Sequence, residues 1–409
     1  MRLSFTHIRV ALLGSALALA ALTPAAASRA DSHRDRALHG NHTSAFGAAR
    51  GVAADPTYTV LHDFAGSPND GGGSGANVTL DDEGNIYGTT DFGGANGFGT
   101  VFKLAPDGTQ TLLHSFNSTD GSGPDGAVLL MPNGDIVGTA GSGGANGNGV
   151  LFKITAKGKY KILHDFTADD GAFLRGNLIR DKQGNIYGTA LFGGVNGDGT
   201  VYKYAADGTF TVLHAFNGTD GLFPEHGVVS DSAGNLYGVT AFGGASDEGT
   251  VYKLSPKGKL KTLYSFTGQE DGGFLYGGLA LDKDGNVYGS TVDGGAHAAG
   301  TVFKLTQDGT LTTLYNFTGG TDGGAPEGDM LLVGKNLYST ASSGGDAGCQ
   351  CGAVYEVTSK GKEKVLHAFT GADGGGYSAG LVEDNHVFYG TTASGGASSN
   401  GVVFSVTKK

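Results

Sequence analysis

Seven positions, each just before the first strand of a recurring segment, share no common chemistry. They are Gly75, Asp125, Arg175, Glu225, Tyr276, Glu327 and Ser378, and His226 follows Glu225 where the other copies hold a small residue. Asp125, Glu225, His226 and Glu327 are types that give and take protons or hold a divalent ion. Gathered on one rim they make an acid/base pair or a metal site. A solvated loop that tolerates variety explains the same scatter without any chemistry.

Aromatic side chains run through the loops that belong on the same face. Phe92, Phe192 and Phe242 precede Gly-Gly pairs, and Phe173, Phe223, Phe274 and Tyr377 lie between copies. Rings beside Asp, Asn and Gly suit sugar binding, because a ring face stacks on the apolar side of a sugar while polar groups take its hydroxyls. With Arg175 and Tyr276, Phe92, Phe192 and Phe242 are the ligand-binding candidates. The competing reading has the rings filling gaps between structural units, and the chain has no tryptophan.

Two further sets recur with the segment. His62, His114, His164, His214 and His367 share one position, which Tyr264 and Tyr315 fill in the other copies. Exchange with Tyr fits packing and a hydrogen bond better than metal ligation, and residues on outer strands diverge too far to share an ion at ~2 Å. Asp70, Asp120, Asp170, Asp220, Asp271, Asp322 and Asp373 each precede a glycine. They are candidate calcium ligands, or turn-formers that bond their own backbone. Cys349 and Cys351 are the only cysteines, and an even count in an oxidising compartment predicts a small disulfide loop.

The elements that must position these groups come from a repeat of about 50 residues. GTVFKL-like strings begin at Gly99, Gly149, Gly199, Gly249, Gly300, Gly352 and Gly401, and LHxF or LYxF at Leu61, Leu113, Leu163, Leu213, Leu263, Leu314 and Leu366. Each copy holds four short runs rich in β-branched and aromatic residues, such as 177–181, 185–190, 199–204 and 211–216, separated by Asp-Gly and Gly-Asn turns. Four antiparallel strands at this period describe one propeller blade. The chain enters the repeat on a fourth strand (58–64) and leaves it on a third (401–406). Pairing the two completes a seventh blade and hides the edges an open stack would expose. The expected fold is therefore all-β: a seven-bladed β-propeller of four-stranded antiparallel blades spanning 57–409.

The pattern F-T-G-x-D-G-x-x-P, D-x-x-G-N-x-Y-G-T-T, G-G-A-N-G-x-G-T-V-F-K-L resembles the choice-of-anchor tandem repeat (GloVer-containing) family of exported bacterial proteins. The resemblance covers all of 57–409. It implies β-propeller repeats, export and a variable C-terminal anchor, and it carries no established activity. This chain stops directly after the last strand, which points to release into the periplasm or medium. A more distant likeness to propeller lactonases and lyases keeps an enzyme reading open as an analogy of fold.

Composition and ends set the remaining bounds. Of 409 residues 76 are glycine, without the G-X-Y period of collagen, and 39 % are apolar, too many for a disordered chain. Residues 1–27 read as a signal peptide with arginines at 2 and 9 and a short apolar core, and 28–56 as a flexible leader. The whole chain carries a net charge of −12, and six of its arginines lie within residues 1–56, so the body is more acidic still. Phosphates would be repelled, which excludes nucleic acid and anionic membrane surfaces as partners. No later apolar run is long enough to span a membrane. The expectation is a monomeric, secreted or periplasmic binding module for extracellular polysaccharide or a surface protein. The alternatives are a metal-dependent lactonase or lyase at the channel mouth and a protein–protein scaffold.

Overall fold

The LHxF element explains how each blade is built. In the computed structural model, which describes residues 56–346 and 348–408, it is the outermost strand of every blade. Its Leu is an extra residue: Leu151 pairs with His164 and Phe152 with Ile162, so Leu163 has no opposite number. The same shift recurs in the other blades. Such a bulge sharpens the right-handed twist of the outer strand. The Phe that ends the motif then turns inward, and Phe64, Phe116, Phe166, Phe216, Phe266, Phe317 and Phe369 are wholly buried.

The third strand supplies the other half of the core. Phe102, Phe152, Tyr202, Tyr252, Phe303, Tyr355 and Phe404 are all buried. Each lies over the second strand, where a glycine usually makes room: a Cβ on Gly238 would sit 2.3 Å from the Tyr252 hydroxyl. The clusters therefore form between neighbouring blades, for example Phe216 with Val228, Leu236 and Tyr252.

Seven antiparallel four-stranded blades form the ring. In the third blade the strands are Ile179–Arg180, Ile186–Ala190, Thr200–Tyr204 and Phe210–Ala215 from the inside outward. In the seventh, Thr57–Asp63 pairs with Val402–Thr407 in the register Thr57 to Thr407 through Asp63 to Val402. Ring closure between the first and last strands thus follows the sequence expectation to within a residue. The closing pair carries the same bulge, at Leu61. The signal peptide and all but the last residue of the leader lie outside the described residues. No helix among the described residues is long and apolar enough to cross a membrane.

Candidate functional site

The loops that enter each blade are shaped by the loops beside them. Residues Gly71–Gly72 pair with Phe92–Gly93, and single bridges join Ala172 to Phe192, Leu222 to Phe242 and Gly273 to Asp293. The next residue is left-handed in all seven copies: Gly73, Gly123 and Gly376 at φ 66°, 58° and 70°, Phe173, Phe223 and Phe274 at 58°, 58° and 54°, and Ala325 at 46°. A bulky residue in this region costs roughly 1–3 kcal/mol. The turn sends the chain toward the channel and delivers the variable column to its mouth.

Below the mouth the blades meet backbone to backbone. A Cβ on Gly227 would lie 1.9 Å from the Asn177 carbonyl oxygen, so only glycine permits this approach. Asp329, on blade six, is the hub of the closure. Its Oδ2 accepts the Asn77 amide at 2.8 Å and the Asn177 amide, and its Oδ1 accepts the Gly278 N–H at 2.6 Å. His226 Nδ1 stands 2.7 Å from the same Oδ1, the distance of a charge-assisted contact. On the other side of the ring, Tyr377 OH lies 3.3 Å from His226 Nε2.

Above the hub sits an acid-rich ring. Arg175 Nε pairs with Asp125 at 3.0 Å, and its Nη1 reaches Glu225 at 3.7 Å. The arginine side chain is 48 % exposed whereas those of Asp125 and Glu225 are 13 % and 9 % exposed, so the guanidinium faces an open recess and the carboxylates line it. Burial pushes Glu225 and Asp125 up, by more than Arg175 and His226 pull them down. Burial likewise raises Glu327, with Glu225 adding repulsion. Burial raises Asp91 well above the carboxylate range, helped by the Asp125 charge. His226 runs the other way: burial lowers it, but Asp329, Glu225 and Asp125 outweigh that and leave it raised. Burial pushes Asp329 up, and His226 with the hub hydrogen bonds brings it below its ordinary value.

The fold therefore brings Asp125, Arg175, Glu225, His226, Tyr276 and Glu327 to one place. Phe242 reaches it, its ring 6.5 Å from Tyr276. Phe192 belongs to an arc over blades three to five that runs Phe173, Phe192, Phe223, Phe242, Phe274, with successive ring centroids 4.9–5.8 Å apart. Phe223 and Phe242 are buried in it, and Phe173, Phe192, Phe274 and Tyr276 are half-buried at its surface. Phe92 lies apart on blade one, 42 % exposed and packed over Gly72 and Gly73.

The ring of aspartates lies elsewhere, at the outer rim. Asp70, Asp120, Asp170, Asp220 and Asp373 each take the Nε2 of their own repeat's histidine at 3.0–3.1 Å. Asp271 and Asp322 take Tyr264 and Tyr315 at 3.1 and 2.9 Å. Each also accepts a backbone N–H of its turn, as Asp220 does from Asn217. A cation there would have to displace these partners. Among the described residues no group of three or more His, Cys, Asp or Glu is arranged to hold a metal ion. Cys349 and Cys351 are disulfide-bonded with Cα atoms 5.2 Å apart.

Asp329, Asp91, Asn77 and Asn177 escaped sequence reasoning. Asn77, Asn177 and Asp329 share one column, two residues after the variable one, that otherwise holds Ala127, Gly227, Gly278 and Gly380, and Asp91 stands in a separate loop column with Gly141, Leu191, Ala241, Val292, Ser342 and Ala393. Reading the column two beyond the variable one would have found the first three.

Fold and site define a seven-bladed repeat propeller with a closed channel and an acidic, aromatic-rimmed mouth. The chain belongs to the Gloeobacter/Verrucomicrobia repeat family, matched over residues 50–238 and 224–409. No curated protein matches its sequence. Among solved structures it is similar to a streptogramin B lyase, at 13 % identity and a TM-score of 0.57, covering 87 % of this chain and 98 % of that one. It is also similar to an extracellular domain from B. thetaiotaomicron described as part of a hybrid two-component system, at 11 % identity and a TM-score of 0.54, covering 85 % of this chain and 40 % of that one. A puromycin hydrolase matches at 12 % identity and a TM-score of 0.51, over 77 % of this chain and 49 % of that one. At these identities the likeness is one of fold.

Proposed function

We propose that the protein is an exported binding module that holds an extracellular saccharide polymer at the channel mouth. The observation that carries this reading is the set of half-buried rings, Phe173, Phe192, Phe274 and Tyr276, beside the acidic recess. Phe173, Phe223 and Phe274 occupy a left-handed position where glycine serves elsewhere, so the arc is kept against a backbone cost. Rings in such a row offer stacking faces to successive sugar units, and the carboxylates beside them accept hydroxyl hydrogen bonds. Export rests on the charge and apolar pattern of residues 1–27.

The test is retention of the purified protein on a panel of insoluble polysaccharides, with and without chelator. Retention that falls at least tenfold in Tyr276→Ala supports the reading. Failure to bind any member of the panel sinks it.

A second reading, hydrolase or lyase, is favoured by one specific feature. Glu225 and Glu327 are carboxyls that burial raises, and they lie near His226, an arrangement suited to proton transfer. Turnover of lactone or glycan substrates that disappears in Glu327→Gln would move the protein into that class.

A further inference from the structure

Charge is unbalanced at the mouth, and the imbalance identifies a ligand class. Four carboxyl groups gather there, Asp91, Asp125, Glu225 and Glu327, above the Asp329 hub. Arg175 is matched by Asp125, and His226 by Asp329. Glu225 has only the more distant arm of Arg175. Among the described residues neither Asp91 nor Glu327 forms an ion pair with a basic side chain. Two carboxylate oxygens, Asp91 Oδ1 and Asp125 Oδ1, are shielded from solvent without a hydrogen-bond partner. Burial keeps the Asp91 carboxyl protonated above the usual carboxylate range, so the charge left for a ligand is that of Glu225 and Glu327.

The spatial order of the groups is equally informative. Glu225, Tyr276 and Glu327 come from consecutive blades at one repeat position, so the Tyr276 ring stands between two carboxyl groups, and both act on it electrostatically. An aromatic face flanked by carboxylates is how proteins hold an organic ammonium, by ring quadrupole and by charge. The carboxylates are spread around the ring instead of converging on a point, which does not suit a bare ion. A uronic acid or sulfated sugar would meet repulsion from Glu225 and Glu327, and the one arginine facing it, Arg175, is already paired with Asp125.

Resting on the saccharide reading above, we infer that the mouth selects sugars carrying a protonated amine, with the ammonium between Glu225 and Glu327 against Tyr276. Neutral sugars of the same shape gain the stacking but leave the carboxylates unmatched.

Three short β-1,4-linked oligomers that differ only at C2 test this: glucosamine, N-acetylglucosamine and glucose tetramers, titrated calorimetrically into the purified protein at pH 6. The glucosamine tetramer is expected to bind at least tenfold more tightly than the other two. That preference should shrink in Glu327→Gln and in Tyr276→Leu, each checked for an unchanged melting temperature. Because an acidic protein attracts any polycation, Asp284→Asn, which removes an exposed charge on a turn, serves as control and should leave the preference intact. Equal binding of all three tetramers overturns the amine inference and leaves the saccharide reading standing. Equal loss in Asp284→Asn and Glu327→Gln overturns it as well, because the attraction is then diffuse. If no tetramer binds, the inference falls together with the reading on which it rests.

Discussion

The outer rim and the channel mouth are made from the same repeat, yet they are built on opposite principles. At the rim, a His or Tyr on the outer strand meets an Asp in every copy, at 2.9–3.1 Å. At the mouth no such rule holds: one position carries Gly, Asp, Arg, Glu, Tyr, Glu and Ser around the ring. The rim needs the same mechanical solution seven times, to fasten the turn that passes the chain from one blade to the next. The mouth is where seven loops converge, so each copy can bring a different group to a shared space. Uniformity at the rim marks a folding requirement, and departure from it marks where the copies are free to differ.

Breaking the hub separates the two regions most sharply. Asp329→Ala removes the acceptor of Asn77, Asn177 and Gly278 and leaves His226 beside no carboxylate at the hub. Removing one partner of a buried pair costs about 3 kcal/mol or more, and nothing elsewhere in the ring repeats this contact. Asp220→Ala at the rim removes one of seven equivalent latches and is expected to cost about 2 kcal/mol. Denaturant titration of both variants checks the order. A hub variant as stable as the rim variant would mean that the blade interfaces alone close the channel.

Acidity should act on the two regions with opposite sign. At the rim, burial pushes Asp70, Asp220 and Asp322 up, but their hydrogen bonds outweigh it and hold them below 3.8. Their stabilisation is present above that value and is lost as pH falls through the lowered folded-state value. At the mouth, Asp91, Asp125, Glu225 and Glu327 are raised by burial. These groups favour the fold while protonated, and their contribution is lost as pH rises from the ordinary carboxylate range through the raised values. His226, raised above 6.5, likewise contributes below its unfolded value and loses that contribution as pH climbs. Asp220→Asn should therefore flatten melting temperature against pH on the acid side, and Glu225→Gln on the neutral side. Melting curves from pH 3 to pH 8 decide; the same slope change in both variants would refute the division.

One rim position already behaves like the mouth, and it sharpens the comparison. Glu363 occupies the place that Tyr160 and Phe210 fill elsewhere by stacking on a histidine at 4.0 and 3.8 Å. Burial and the neighbouring Asp322 push its carboxyl up to about 7, and its Oε1 has no hydrogen-bond partner. Between 4.5 and 7 the folded chain holds a proton that the unfolded chain releases, so this site loses stability as pH rises across that window. Glu363→Gln should raise stability at pH 8 by about 1 kcal/mol after allowance for solvent screening at a half-buried group, read as a higher melting temperature, with little change at pH 4. A gain of equal size at both pH values would point to packing instead.

How much of this was legible in advance follows from the same contrast. Seven blades and their closure could be read because the Leu of each LHxF element, and the Phe after it, recur as a strand bulge and a core residue do. The variable column could be read because the strands and turns that flank it recur in every copy and fix its place in the repeat. Asp91 could not, since its column otherwise holds small or apolar residues and a single acid among them carries no period; Asp329 shares its column with Asn77 and Asn177, but that the three meet across the ring is visible only in the fold. The direction of the variable side chains depends on the left-handed turn before them. Three of the seven copies place Phe at that turn, which is a residue type that ordinarily argues against it.

Those phenylalanines supply the subtlest test. Phe173→Gly relieves a left-handed φ of 58°, a gain of about 1 kcal/mol, while losing the edge contact with Phe192 at 5.3 Å, worth about 0.5–1.5 kcal/mol. The half-buried ring also loses its apolar burial, about 1 kcal/mol, so a net destabilisation of about 1 kcal/mol is expected. Binding should not be so forgiving, because the ring contributes a stacking face that no other residue replaces. A severalfold loss of saccharide affinity in a variant still fully folded at the assay temperature would separate the arc's role from folding. A large loss of stability with affinity intact would make the arc a gap-filler between blades, and the mouth's selectivity would then rest on Glu225, Tyr276 and Glu327 alone.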